Sequence, residues 1–415
     1  MMMFGHAHNC YSLSFNSNKT LLAAAGSGGF VSVFGTSKIQ SSAAAVLKNN
    51  KENNHDQQGH SDHTSDDNEA ANRRGGKDND EQGKEEKEAE EAEEGEEEEE
   101  DIKPLVSASI HRRWASGVKL LELPNGNPQE PLVLSSSDDA HIILCKLRQP
   151  QSGKVRLSVI VLVCCLSLLS SFVQHFCPDP FQTSCSLVPL SKLGPEIHTG
   201  GIFSLDAIRS QGGFDVLTGS KDTTVSLSRV ANEGLSAVTR FRDFSESPSV
   251  IKTVCWNPHN QESFAAAGND RAVRLFDVRQ GKQTVCFGEL HTMAINTVDY
   301  NPGNEHQLLS SGFDQVIKVL DLRQTRQPLF TLQSHHIRGR GKASLTSPIF
   351  YLGGKAIATI GDNTSNLYRY STATGELDNV VDIGFTPTCL QTFADEDLLV
   401  AANGKTSLWF FPQGI

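Results

Sequence analysis

"VIKTVCWNPHNQESFAAAGNDRAVRLFDVR", Val250 to Arg279, opens with an alternating apolar segment and turns at Asn257-Pro258. An apolar-to-small run follows, then a turn at Gly268-Asn269-Asp270, then a third alternating segment ending Asp277-Val278-Arg279. Short alternating runs bounded by Asn, Pro, Gly and Asp mark half-buried β-strands joined by tight turns. The same order recurs in "AINTVDYNPGNEHQLLSSGFDQVIKVLDLR", Ala294 to Arg323. Asp270 and Asp314 hold the same place in the two turns and stand 44 residues apart, a period of repeat architectures.

Aligning the chain with itself extends the pattern. "HTGGIFSLDAIRSQGGFDVLTGSKDTTVSLSRV" starts at His198, and "HRRWASGVKLLELPNGNPQEPLVLSSSDDAHIILCKL" starts at His111. "HAHNCYSLSFNSNKTLLAAAGSGGFVSVF" starts at His6, and weaker copies begin at Ala343 and Pro387. These seven units resemble the WD40 family, and the signature that carries the resemblance is a His, an apolar strand, Gly/Ser-x-Asp and a strand ending Asp-x-Arg. The resemblance implies an all-β, seven-bladed propeller of four-stranded blades. Two departures stand out. Phe276-Asp277 and Leu320-Asp321 replace the family's Trp-Asp, and Gly28-Gly29 occupies the place of the first turn aspartate.

Two insertions interrupt the repeat, a disordered acidic one and an apolar one. Blade one takes residues 1–35 for its first three strands, and the acidic low-complexity insertion covers 36–104. Residues 105–150 complete blade one and most of blade two, 151–190 form the apolar insertion, and 191–415 hold blades three to seven. Without the two insertions 306 residues remain, about 44 for each of seven units. The last copy supplies three strands, so its fourth is expected from Met1 to Phe4. Both insertions fall between the third and fourth strands of a blade and leave from one face of the ring.

The net charge of −12 comes from the first insertion. Glu81 to Asp101 carries fourteen acidic residues and two lysines, and the rest of the chain balances at 35 of each sign. That balance argues against a nucleic-acid partner. Low hydrophobicity with like charge predicts disorder for the tract, which suits basic partners such as histones. Nine cysteines are scattered without CxxC pairs, which reads as reduced thiols in a cytoplasmic or nuclear protein.

The repeated histidines and aspartates invite a catalytic reading as acid–base dyads. A pair that recurs four times, His111/Asp138, His198/Asp222, His291/Asp314 and His335/Asp362, reads as architecture instead. In the WD40 family, which these units resemble, such pairs hydrogen-bond each other with a strand Ser or Thr, here Ser310 or Thr218. No GxSxG, P-loop, HExxH or helix-opening GxGxxG is present. His55, His60 and His63 match no zinc spacing, and no cofactor or metal is implied.

The function expected is a non-enzymatic protein-interaction scaffold, with a propeller enzyme as the remote alternative. On the face opposite the insertions the candidate contacts are Arg113, Trp114, Lys221, Asn269 and Phe313. Trp114 has a plainer reading as packing into the next blade. A narrower reading follows from "FAAAGNDRAVRLFDVR" and "LLSSGFDQVIKVLDLR". They resemble the box of WD40 substrate receptors of cullin-type ubiquitin ligases, in which the Arg contacts the adaptor. The matching residues are Asp277, Arg279, Asp321 and Arg323.

Leu157 to Val173 is uncharged and seventeen residues long, at the short edge of a membrane span. A span there would divide one ring across a bilayer, so a membrane role conflicts with the repeat. Lys154-Val155-Arg156 is codable as an intron start, and the Leu, Ser, Val, Phe and Cys that follow are what U-rich sequence encodes. Residues 155–187 therefore read as translated intron or isoform-specific insertion, with an irregular loop and a membrane anchor as the alternatives.

Overall fold

The computed structural model describes residues 2–3, 10–17, 20–35, 104–124, 126, 130–148, 185–242, 249–324, 327–333, 348–360, 365–384, 386–393, 396–403 and 407–411. The tracts at 36–103 and 149–184, which hold the acidic run, the three clustered histidines and the apolar run 157–173, lie outside the described residues. Among the described residues no helix is long and apolar enough to cross a membrane.

Strand β1 is Met2–Met3. The first sheet holds β2 (Cys10–Phe15), β3 (Leu21–Gly26), β4 (Phe30–Gly35) and β5 (Val106–Ser109). The second holds β6 (Ala115–Leu121), β7 (Leu132–Ser137), β8 (Ile142–Arg148) and β9 (Ser186–Leu193). The third holds β10 (Ile202–Ser210), β11 (Gly213–Ser220), β12 (Val225–Ala231) and β13 (Gly234–Phe241). The fourth holds β14 (Ile251–Trp256), β15 (Ser263–Gly268), β16 (Val273–Asp277) and β17 (Lys282–Phe287). The fifth holds β18 (Ile295–Tyr300), β19 (Gln307–Gly312), β20 (Val316–Asp321) and β21 (Phe330–Gln333). The sixth holds β22 (Ile349–Tyr351), β23 (Ala356–Ile360), β24 (Asn366–Ser371) and β25 (Leu377–Asp382). The seventh is formed by β26 (Pro387–Phe393), β27 (Glu396–Asn403) and β28 (Ser407–Phe411), with β1 as its outer strand.

Every pairing within these sheets is antiparallel. The first strands touch in succession, β2 to β6, β10, β14, β18, β22 and β26, and β26 returns to β2. They therefore ring a central axis, and the chain is a β-propeller. At the seam between the last and first sheets, Thr388 Oγ1 donates to the Cys10 carbonyl at 2.8 Å. Met2 and Met3 pair with Leu408 and Ser407.

The second strand of each sheet is buried on both faces. Along β3, Leu22 and Ala24 pack with Cys389, Val400 and Ala402 of the last sheet. Leu21, Ala23 and Ala25, one residue out of phase, pack with Val118 and Val133 of the second. This is the period of two of a β-strand. Small side chains in "LLAAAG" and "SFAAAG" suit strands wedged between two neighbours near an axis.

One sequence boundary needs correction. β9 begins at Ser186, inside the 151–190 stretch read as an insertion, and pairs with β8 from Ser186↔Arg148 to Leu193↔Ile142. The inserted segment therefore ends before Ser186. Pro189 hid the strand, because proline is excluded from central strands. Here it sits on the outermost strand beside a register shift at Leu144/Cys145, where its missing N–H is tolerated.

Phe264 of β15 is fully buried, stacked on Phe276 at 5.0 Å and edge-on to Trp256 at 5.9 Å. Replacing it with Ala leaves a cavity between two sheets. Phe264→Ala is expected to cost about 3–5 kcal/mol in urea unfolding, with secondary structure retained at low urea.

Candidate functional site

Three sheets carry a hydrogen-bonded set joining the loop before the first strand to the turn between the second and third. His198 Nδ1 lies 3.1 Å from Asp222 Oδ2, and its Nε2 lies 2.9 Å from Thr218 Oγ1. His291 repeats this with Asp314 at 3.0 Å and Ser310 at 2.9 Å. His111 has Ser135 at 2.8 Å and Asp139 at 3.3 Å. Asp138, the partner expected from sequence, instead accepts from Arg113 at 2.8 Å. Each partnering aspartate stands four residues beyond the strand Ser or Thr, as in Ser135/Asp139 and Thr218/Asp222. Counting from that hydroxyl, rather than from the histidine, separates the two adjacent aspartates. His335 and Asp362 lie outside the described residues.

The turn itself explains the aspartate. The residue after it adopts a left-handed conformation in four sheets: Ala140 at φ 65°, Thr223 at 72°, Arg271 at 64° and Gln315 at 66°. The carboxylate holds this strained turn by accepting the N–H two residues on, as from His141 to Asp139 and from Thr224 to Asp222, both at 3.1 Å. In the first sheet Gly28 and Gly29 take φ of 70° and 73° with no aspartate. A Cβ on Gly29 would lie 2.1 Å from the His111 carbonyl oxygen, so the turn requires glycine there.

Burial by itself would push the Asp222 carboxyl up. Donation from His198, Thr224 and the Thr199 N–H outweighs it and holds Asp222 well below the usual carboxylate range. Asp139 and Asp314 are held down in the same way. Burial lowers His291 despite Asp314, which favours the neutral ring.

Around the mouth of the axis the first strands share a second device. A register shift follows the first residue of six of them, between Cys10/Ser12, Ala115/Gly117, Ile202/Ser204, Ile251/Thr253, Ile295/Thr297 and Pro387/Cys389. A bulge leaves one residue out of the ladder and re-aims its side chain. The bulged residues include Tyr11, Phe203 and Lys252. Trp114 lies edge-on to Tyr11 at 5.6 Å and tilted against Phe203 at 5.9 Å. Lys252 Nζ sits 4.9 Å from the Phe203 ring centroid and 5.4 Å from that of Phe313.

Two of the five sequence candidates for this face, Trp114 and Phe313, thus belong to one arc. Trp114 bridges two neighbouring blades and remains half-buried. Arg113 is taken up by Asp138, while Lys221 and Asn269 stand exposed on the flank. Sequence reasoning missed Tyr11, Phe203 and Lys252. The signal for them is position, the second residue of each first strand.

A family model for the WD domain, G-beta repeat, matches residues 1–34, which run from β1 into β4. The match falls on one unit of a chain built of four-stranded antiparallel sheets around an axis. That repeat match and the strand-rich sheets together fit a WD40-family protein. No curated protein matches it. WD40 repeats typically mediate protein–protein contacts, and the repeat supports a protein-interaction scaffold role.

The axis has its own polar lining. Lys119 of β6 pairs with Asp206 of β10 at 2.9 Å, and Asp206 accepts from the Trp256 N–H at 2.8 Å. Asp299 of β18 accepts from the Phe350 N–H at 3.0 Å. Burial pushes the Asp299 carboxyl up to about 7, with Asp206 adding to the rise and Lys119 opposing it. Among the described residues no group of three or more His, Cys, Asp or Glu is placed to hold a metal ion.

The Asp-x-Arg pairs lie where the third strands β16 and β20 end. The Arg323 guanidinium donates to both Asp321 oxygens, at 2.9 and 2.7 Å, and holds that carboxyl at about 2. Arg279 pairs with Glu262, while Asp277 accepts from the Gln280 N–H at 2.9 Å. The two arginine side chains are 76% and 64% exposed, so both are open to a partner despite these contacts.

Asp222→Ala leaves His198 Nδ1 and the Thr199 and Thr224 N–H groups without their acceptor. A loss of about 2–4 kcal/mol is expected at pH 7. A carboxyl depressed in the folded state stabilises above its unfolded pKa and loses that contribution as pH falls. The gap to the parent protein in urea titrations should therefore narrow below pH 3.8, the ordinary aspartate value.

Asp299 runs the other way. Its raised carboxyl keeps its proton in the folded state after the unfolded chain has released it, so stability falls as pH rises from 3.8 to about 7. Asn cannot titrate. Asp299→Asn should gain on the parent across that window and hold its advantage above it, measured by melting temperature in a buffer series.

Proposed function

We propose that this protein is a non-enzymatic interaction scaffold whose partner docks on the mouth of the ring, over Trp114, Phe203, Lys252 and Phe313. The observation that supports this reading is the arc itself. Three aromatic rings and a lysine from four sheets are in contact, each half-buried. Partly exposed aromatic and cationic groups concentrate binding energy at protein interfaces. Phe313→Ser with Lys221→Glu should strip partners from the full chain in cross-linking and mass spectrometry, without lowering its melting temperature. Retention of every partner would reject this face.

A narrower reading, the substrate receptor of a cullin-type ubiquitin ligase, draws on the exposure of Arg279 and Arg323. In that reading the two guanidinium groups leave Glu262 and Asp321 for carboxylates or carbonyls of the adaptor. Arg279→Ala with Arg323→Ala should then abolish adaptor capture, with stability changed by no more than about 0.5 kcal/mol. Adaptor capture that persists in the double variant, or is absent from the parent, rejects it.

A further inference from the structure

The mouth has a charge pattern that its shape does not require. Among the described residues around it, nearly every carboxylate is already engaged within the chain. Asp138 pairs with Arg113, Asp139 with His111, Asp222 with His198, Asp270 with Arg274 and Asp314 with His291. Glu196 accepts from the Gly194 N–H at 2.9 Å, and Glu289 stands exposed. Several cations have no such counterpart there. Arg112, Lys221 and Arg271 are exposed, and no hydrogen bond or ion pair joins their side chains to a described carboxylate.

Lys252 is the sharpest case. Its ammonium group stands between the faces of Phe203 and Phe313, and no described carboxylate pairs with it. Burial lowers its affinity for a proton with nothing acidic to offset the loss. Ring faces attract a cation but do not replace the hydration that burial removes. An anion arriving from outside would complete the site. On the same face a cleft of about 620 Å³ is lined by the unpaired Arg112 and Lys221 together with the engaged Asp138, Asp139 and Asp222.

We propose that the mouth receives an acidic segment of a protein partner, with one carboxylate pairing to Lys252 and an apolar side chain laid on Trp114 and Phe203. This rests on the interaction-face reading above and adds the chemistry of the partner. The apolar component distinguishes the site from a general polyanion surface. A phosphate backbone would satisfy Lys252 but has nothing to place on the Trp114 and Phe203 rings except a base. Because Lys252 is half-buried, its pairing is screened by salt less than that of the exposed Arg112 and Lys221.

The test uses the full chain and a fluorescein-labelled octapeptide in which Glu-Asp pairs alternate with Phe, read by fluorescence polarisation. Saturable binding is expected, weakened at least tenfold by Lys252→Glu and several-fold by Lys252→Gln. Equal melting temperatures would show that both variants are folded. Exchanging the acidic residues of the peptide for Lys should abolish binding, and exchanging Phe for Ser should weaken it.

Binding that ignores both Lys252 variants overturns the proposal, as does equal affinity for the peptide without Phe. An oligouridylate that binds as tightly and competes would assign the mouth to polyanions at large and overturn it too. A chain lacking 81–101 that binds while the full chain does not would place the chain's own acidic tract in the mouth, against a partner. If the peptide fails to bind but Phe313→Ser with Lys221→Glu still strips partners, the face stands and its acidic specificity falls.

Discussion

Leu22 and Ala24 face one neighbouring sheet while Leu21, Ala23 and Ala25 face the other, and the same division runs through the successive core clusters. A sheet that is apolar on both faces has no solvent side, so it is stable only between two others. The arrangement ends only when the last sheet meets the first. That meeting is made by Cys389, Val400 and Ala402 packing on Leu13, Leu22 and Phe34, with Thr388 bonded to the Cys10 carbonyl. The outer strand of the last sheet is drawn from the other end of the chain, so the seam joins the two ends by hydrogen bonds as well as by packing.

Closure also accounts for the polar residues. A ring of first strands leaves side chains along the axis that cannot all reach bulk water. Those of Ser204 and Asp206 accept N–H groups from β14, at 3.1 and 2.8 Å, and Ser12 and Ser14 do the same for β6 at 3.1 and 3.0 Å. These bonds tie neighbouring first strands that share no ladder. At the mouth the bulges break the regular alternation and release one side chain per strand. The surface proposed for partners therefore exists because the first strands must bend away from one another there.

The histidine–aspartate sets show where a repeat is informative and where it misleads. His198, Asp222 and Thr218 recur as His291, Asp314 and Ser310 because the left-handed turn residue needs an acceptor beside it in each sheet. The same need is met differently elsewhere. Gly28 and Gly29 remove it by tolerating the backbone, and in the fourth sheet Asp270 pairs with Arg274 of the third strand. The Asp138/Asp139 choice failed in sequence because adjacent aspartates differ only in which one reaches back over the turn.

Alternation, Asn-Pro and Gly-x-Asp turns, and a 44-residue period are local properties, and they sufficed for most of the strands and for the propeller. The Asp-x-Arg ends and most histidine partners were legible for the same reason, since each lies within one repeat. What sits side by side around the axis was not legible. Tyr11, Trp114, Phe203, Lys252 and Phe313 come from five repeats and meet only because the ring brings equivalent positions together. Strand β9 was hidden likewise, since Pro189 argues against a strand until its place on an outer edge is known. Sequence carries what one repeat does to itself, whereas contacts between repeats depend on a closure that no single repeat encodes.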